Sequence, residues 1–266
     1  MSTLEQVFDP GPTVYPPVTL GAARVQSAGF TAMGAREYNE DRLGHLNETG
    51  CACWALADGL GGHHGGARAA ELAVEAGLAS LKRSSSPGIE GRLKQAIHDA
   101  HTAILAEQRR RAEFAGMRST LVLLGSDGAN LAWAHTGDSR LYHFRDGRLH
   151  WRTRDHSAVQ LLVSAGEVAE ADIARHPDRS RLVSSLGGDS SLLISVRRAD
   201  SAPRMGEVLL LASDGLWEHF DNLALEKAVV EARVPEELLA LLAKQVAADG
   251  RPGQDNYSAI AVYIEA

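Results

Sequence analysis

The residues of this chain best suited to chemistry are carboxylates standing where carboxylates are costly. Asp58 ends the apolar run Cys51-Ala-Cys-Trp-Ala-Leu-Ala57, and Asp214 ends Val208-Leu-Leu-Leu-Ala-Ser213; each is followed by glycine and then leucine. A tight hairpin would place polar residues there, and a carboxylate at the mouth of a buried strand is expensive to desolvate unless it meets a cation. Three polar islands carry further acids: Arg36-Glu-Tyr-Asn-Glu40-Asp41, Gly137-Asp138-Ser-Arg140 and Gln254-Asp255-Asn256. Singly, each is explained as a turn or cap, positions that Asp and Asn favour. Together, five aspartates at strand ends (Asp41, Asp58, Asp138, Asp214 and Asp255), with no histidine in ligand spacing, describe an all-oxygen pocket. Such a pocket suits Mg²⁺ or Mn²⁺, whereas zinc would call for His or Cys.

The elements that must position these acids are mostly strands. Short β-type runs are predicted at 51–57, 119–124, 131–134, 141–144, 149–151, 208–212 and 259–264. Asp127-Gly128 and Asp146-Gly147 each lie between two such runs, the strongest short-range hairpin signal. Asp249-Gly250, in Ala-Asp-Gly-Arg-Pro-Gly, is explained by a turn after a helix. Helical spacing of apolar residues appears at Ala69, Leu72, Ala73, Ala76, again at Leu93, Ala96, Ile97, Ala100, Ile104, and from Pro235 through Leu239, Leu242 and Val246. Adjacent hairpins with helix pairs between them predict an α+β fold, with antiparallel sheets covered by helices. Residues 1–21, with four of the nine prolines, are expected to form an irregular lead-in, and 22–266 a single domain.

Composition sets the outer limits. In 266 residues, 27 Lys and Arg face 34 Asp and Glu, a net charge of −7. The excess of acid and the absence of a basic run argue against a nucleic-acid surface. No apolar run approaches a membrane span, and the first basic residue, Arg24, leaves no charged start for a signal peptide. Cys51 and Cys53, the only cysteines, are assigned to opposite faces of a strand, sharing neither a disulfide nor a metal. A cytoplasmic protein is expected, monomeric by default. The stretch Gly59-Leu-Gly-Gly-His-His-Gly-Gly66 imitates a dinucleotide-binding turn, but the third glycine is missing and Asp58 would face the pyrophosphate, so a nucleotide-binding oxidoreductase is disfavoured. His98 and His101 share a helical face that is expected to be a solvated surface.

In chain order, Arg36-x-x-Asn39-Glu40-Asp41, Ala57-Asp58-Gly59-x-Gly61-Gly62-His63, Gly116-x-x-Ser119-Thr120, Gly137-Asp138-Ser139-Arg140-x-Tyr142, Thr153-x-Asp155-His156-Ser157, Ser213-Asp214-Gly215-Leu216 and Asp255-Asn256 resemble the metal-dependent serine/threonine protein phosphatases of the type 2C class, bacterial members above all. Seven motifs in family order are a specific signal. The resemblance implies a four-layer α-β-β-α sandwich with two antiparallel central sheets and a small helical flap at about 155–190. It further implies two or three Mn²⁺ or Mg²⁺ ions: Asp58 shared between two of them with the Gly59 carbonyl, Asp214 and Asp255 completing one, Glu40 and Asp41 holding waters or ligating directly, and Asp138 with Asp214 taking a third. Arg36 matches the phosphate-binding arginine.

The implied activity is hydrolysis of phosphoserine and phosphothreonine by in-line attack of a metal-bridging hydroxide, on proteins phosphorylated by a serine/threonine kinase. A catalytically impaired phosphoprotein-binding regulator on the same fold is the alternative, which the retained Asp58, Asp214 and Asp255 oppose. Leu60 stands where many eukaryotic members carry a histidine, and His63 or His64 could substitute for it. Asp155 or Ser157 is expected to cap the first flap helix and Pro177 to break the second.

Overall fold

The run 51–57 is apolar at every position because both faces of its strand are covered. Ala52, Trp54 and Leu56 pack into one core cluster while Cys51, Cys53, Ala55 and Ala57 pack into another. The computed structural model describes residues 12–21, 23–48, 50–61, 64–84, 86, 88–188 and 191–265. Among them, one sheet holds β1 (Thr13–Val14), β2 (Val18–Leu20), β3 (Ala23–Ala32), β9 (Arg140–Arg145), β10 (Arg148–Arg152), β12 (Val208–Ala212) and β13 (Tyr257–Glu265). Its order is β1-β3-β13-β12-β9-β10, with β2 also on β3. The other holds β4 (Asp41–Glu48), β5 (Cys51–Leu60), β6 (Arg118–Ser119), β7 (Leu121–Ser126), β8 (Leu131–Thr136) and β11 (Ser195–Arg198), ordered β11-β8-β7-β5-β4 with β6 on β5. Every pairing is antiparallel.

The helices make the outer layers. Helices α1 (His64–Arg83) and α2 (Ile89–Arg110) cover the β4–β8 sheet through Ala69, Ala73, Leu93 and Ile97. The short α3 (Ala158–Ser164) and α4 (Asp214–Trp217), with α5 (Asn222–Glu231) and α6 (Pro235–Asp249), lie on the other sheet, where Val159, Leu216, Leu225, Leu239 and Leu242 are buried. Between the sheets, Leu43, Trp54, Leu56, Val122, Trp133, Leu209, Leu211, Ile260 and Val262 form the central layer. This is the four-layer α-β-β-α sandwich that the resemblance implied. Both predicted hairpins are present, with Asp127–Asn130 between β7 and β8, and Asp146 (φ 51°) and Gly147 (φ 72°) between β9 and β10.

Three expectations are corrected. The lead-in is not irregular throughout, because β1 and β2 pair with β3, burying Val18 and Leu20 while Thr19 faces outward. Prolines 12, 16 and 17 flank these edge strands, where a missing donor costs no ladder bond; residues 1–11 lie outside the described residues. Cys51 and Cys53 share one face, since residues two apart on a strand always do; both are free thiols in the helix-facing core. His101 is not simply solvated, for its Nδ1 accepts the Gly187 N–H at 3.1 Å and so ties α2 to the end of the flap.

The flap is anchored locally. Ser157, rather than Asp155, caps α3 by accepting from the Gln160 N–H, and a 3₁₀ turn at Glu170–Arg175 ends just before His176-Pro177. Arg179 donates to Glu218 at 2.7 Å, joining the flap to the end of α4. Leu211 is fully buried between the sheets. Its replacement by alanine is expected to cost about 2–5 kcal/mol in urea unfolding and to leave the outer helices in place by far-ultraviolet circular dichroism.

Candidate active site

Side-chain alternation brings the predicted acids to one place. In β5, Ala52, Trp54 and Leu56 face the opposite sheet, so Asp58 faces it too, one step beyond the apolar interior. In β4, Asp41 stands directly opposite Asp58 in the ladder, as Leu43 stands opposite Leu56. Ser213 and Asp214 follow β12, Asp138 sits between β8 and β9, and Asp255 precedes β13. All five aspartates therefore gather at one end of the sandwich, in the mouth between the sheets. Asp58 is their centre, for Asp214, Asp41, Asp138 and Asp255 all act on its charge.

Polar main chain and hydroxyls hold the carboxylates in position. The Asp58 N–H donates to Thr120 Oγ1 at 3.0 Å, its carbonyl accepts from the Thr120 N–H at 2.8 Å and from Ser119 Oγ at 3.0 Å, and Thr120 Oγ1 lies 2.7 Å from Ser139 Oγ. Ser213 Oγ donates to Asp41 Oδ2 at 2.8 Å. Asn256 spans two loops: its Nδ2 donates to the carbonyls of Met33 and Tyr38, and its Oδ1 accepts from the Glu40 N–H. Behind Asp138, the Trp217 Nε1–H donates to the Asp138 carbonyl at 3.0 Å, while Arg140 lies over the Trp217 ring and forks on to both oxygens of Asp155 at 2.8 and 2.7 Å.

The glycines of the Gly59–Gly66 stretch have a steric reason. A Cβ on Gly59 would stand 2.0 Å from the Gly66 carbonyl oxygen, and one on Gly66 would stand 2.3 Å from Glu40 Oε1. The start of α1 thus closes on β5 and on Glu40, whose carboxyl burial raises above its ordinary range against the opposing pull of the Arg36 charge and, more weakly, of the Gly66 and Ala67 N–H groups. His63 and the side chain of His64 lie outside the described residues. A Cβ on Gly215 would meet the Asn256 carbonyl oxygen at 2.1 Å, so only glycine lets the Asp214 and Asp255 loops touch.

The electrostatics are those of a site that wants cations. Burial raises the carboxyls of Asp58 and Asp138 well above their ordinary range, with repulsion from Asp214 the next cause in each, and burial with repulsion from Asp255 raises Asp214. Burial pushes Asp41 up to about 7 despite its bond from Ser213. Asp41 Oδ1 and Glu40 Oε1 are buried oxygens with no hydrogen-bond partner of their own among the described residues. Arg140 is committed to Asp155, and Arg36 donates to Asp255 Oδ2 at 2.7 Å from an exposed position. Among the described residues no three His, Cys, Asp or Glu side chains converge closely enough to hold one ion as they stand: Asp41 is turned on to Ser213 and Asp255 on to Arg36. The donors nevertheless fit hard divalent cations, because they are all oxygen, mutually repelling, and left with orphan acceptors that only a cation or a proton can satisfy.

The family model for protein phosphatase 2C matches residues 29–249. The chain belongs to the protein phosphatase 2C family. It is 33% identical over 209 residues to the serine/threonine protein phosphatase PstP of Mycobacterium tuberculosis, covering 78% of this chain but only 39% of that protein. It is 28% identical over 232 residues to the serine/threonine phosphatase stp of Listeria monocytogenes, covering 85% and 90% of the two chains. The crystal structure of the catalytic domain of PstP in complex with two manganese ions superposes with a TM-score of 0.76 at 27% identity, over 91% of this chain and 99% of that one. Within the 2C frame, Trp217 and Asp155 are the supporting residues that sequence reasoning left without a role at the site.

Asp41 supplies a test of the acid cluster in the metal-free protein. The unfolded chain ionises this group near 3.8 and the folded one only near 7, so folding takes up a proton in between and this contribution to stability falls as pH rises across that window. The melting temperature measured in chelator is expected to drop from pH 4 to 7, and Asp41→Asn to flatten that drop.

Proposed function

We propose that this chain is a metal-dependent serine/threonine phosphoprotein phosphatase that releases inorganic phosphate in one hydrolytic step, without a phosphoenzyme. The observation that carries this reading is the mutually repelling set of buried Asp41 and Asp138 with half-buried Asp58 and Asp214, together with oxygens on Asp41 and Glu40 that have no hydrogen-bond partner among the described residues. A phosphate dianion can approach such a set only after cations outweigh it. Asp58 with the Gly59 carbonyl, Asp214, Asp255, Glu40 and Asp41 are the groups that would hold two ions, and Asp138 with Asp214 a third. Bound Mn²⁺ or Mg²⁺ supplies the charge that receives the phosphoryl oxygens and lowers the pKa of water for attack on phosphorus.

The chain's own residues do the rest. Arg36 offers a planar fork to two phosphoryl oxygens from the rim of the cleft, next to Asp255. The Thr120 and Ser139 hydroxyls keep the Asp58 backbone from shifting, and Trp217 does the same for Asp138. The flap, at about 155–190, is tied to the site by Arg179–Glu218 and contributes contacts to the protein substrate. Phosphorylated targets of a serine/threonine kinase are the substrates in this reading, met by a monomer in the cytoplasm. Among the described residues, no helix is long and apolar enough to cross a membrane.

Hydrolysis of an aryl phosphate is expected to need added Mn²⁺ or Mg²⁺ and to be lost in Asp58→Ala and Asp214→Ala. A wild type inert in both metals, or variants that keep full activity, would refute the reading, and tight phosphopeptide binding without turnover would favour the regulator. Arg36→Ala should raise KM about tenfold, the size of one lost charge-assisted bond. Removing the flap should change phosphopeptide turnover more than aryl phosphate turnover; equal effects would deny it a role in substrate contact.

A further inference from the structure

His219 lies just past α4, five residues after Asp214, with only 2% of its side chain exposed. Its Nδ1 is 2.6 Å from Asp249 Oδ2, and its Nε2 is 2.7 Å from Gln254 Oε1. A carboxylate can only accept. The amide of Gln254 has its orientation decided by its other end, where Nε2 lies 2.9 Å from the Gly215 carbonyl oxygen and 3.2 Å from that of Asp255. Turning the amide over would set its oxygen against two carbonyl oxygens, so the NH₂ end faces Gly215 and Asp255 and the oxygen faces His219. Both ring nitrogens of His219 therefore face acceptors, and only a ring protonated on both can donate to both.

Gln254 ties together the loops that carry three of the predicted site residues. Its side chain holds Gly215, next to Asp214, and the carbonyl of Asp255, while its main-chain carbonyl accepts from the Ala35 N–H at 2.8 Å, next to Arg36. The same carbonyl is 2.7 Å from where a Cβ on Gly34 would stand. We propose that His219 is a positioning residue that carries a proton on each ring nitrogen, and that the chain Asp249–His219–Gln254 sets the spacing of Asp214 and Asp255, a role that rests on these two aspartates holding metal.

The surrounding charges fit a cationic ring. Asp249 comes from the end of α6, and its carboxyl is held below the usual range chiefly by the bond to His219. Glu218 adjoins His219 and is paired with Arg179 of the flap, and Arg251 donates to the Glu218 carbonyl. Asp221, on the same segment, is spent capping α5. Asp249 is therefore the anion bonded to the ring itself.

Two measurements test the proposal on the full chain. The first is the ¹⁵N spectrum of the histidine rings in metal-free protein, with His219 assigned from the signal lost in His219→Ala. Two protonated nitrogens at neutral pH are expected, and a neutral tautomer with one bare nitrogen would overturn the assignment. The second is Mn²⁺ binding by calorimetry, in which His219→Ala and Gln254→Ala should each weaken affinity about tenfold or more, as loss of outer-shell support commonly does. Val246→Ala, a core change in the same helix α6, should lower the melting temperature and leave Mn²⁺ affinity unchanged. If Asp214→Ala loses Mn²⁺ while the His219 and Gln254 variants bind like wild type, the positioning role fails and the metal reading stands. If Asp214→Ala itself binds like wild type, the metal reading fails first.

Discussion

Negative charge crowded into the mouth between two sheets is the constraint on which this structure turns. Four aspartates act on Asp58, and burial raises Asp58, Asp138, Asp214 and Asp41 together. Left to itself, such a cluster would open the sandwich or take up protons. The sandwich holds because the strands behind the acids are buried on both faces, by Trp54, Leu56, Leu209 and Leu211 between the sheets and by the helices outside. The acids stand at the open end of that rigid frame, where metal chemistry can offset them.

A second constraint is closeness of backbone. Gly59 against Gly66 and Gly215 against Asn256 leave no room for a side chain, so the loops bearing Asp58, Glu40, Asp214 and Asp255 meet main chain to main chain. Hydroxyls and amides then settle the details, Thr120 on Asp58, Ser213 on Asp41 and Asn256 across two loops. The flap is fastened both from outside this frame, by Arg179 on Glu218 and His101 on Gly187, and to the frame itself, where Leu186 pairs with Ser119 and the His156 N–H donates to the Gly137 carbonyl beside Asp138.

The five Asp-Gly pairs show how one dipeptide takes different roles by context. Asp127 and Asp146 turn hairpins as local sequence requires. Asp58 and Asp214 end apolar runs, and their unusual setting was visible because neighbours along the chain define it. Asp249 also ends a helix before a left-handed glycine, as a turn residue should, yet its carboxylate binds a ring 30 residues away in sequence. Nothing local distinguishes that use from a plain turn.

What the amino-acid order determined by itself had a short period or a short range, though β3, β4 and α5 were not among the predicted runs. Apolar alternation marked β13, unbroken apolar runs marked β5 and β12, three-four spacing marked α1, α2 and α6, and order and spacing of the acidic motifs marked the family. Strands β1 and β2 escaped because prolines hide a pairing made with distant β3, and β11 because Ser195-Val-Arg-Arg198 is too short and polar to alternate. Only the tertiary structure decided which acids share a mouth, since Asp41 meets Asp58 through strand register and Ser213 through sheet packing across 172 residues. It alone decided that Arg140 serves Asp155 and Trp217, and that His219 sits between Asp249 and Gln254. The physical reason is that a hydrogen bond or an ion pair is set by where the packed layers bring its partners, and sequence separation carries no record of that distance.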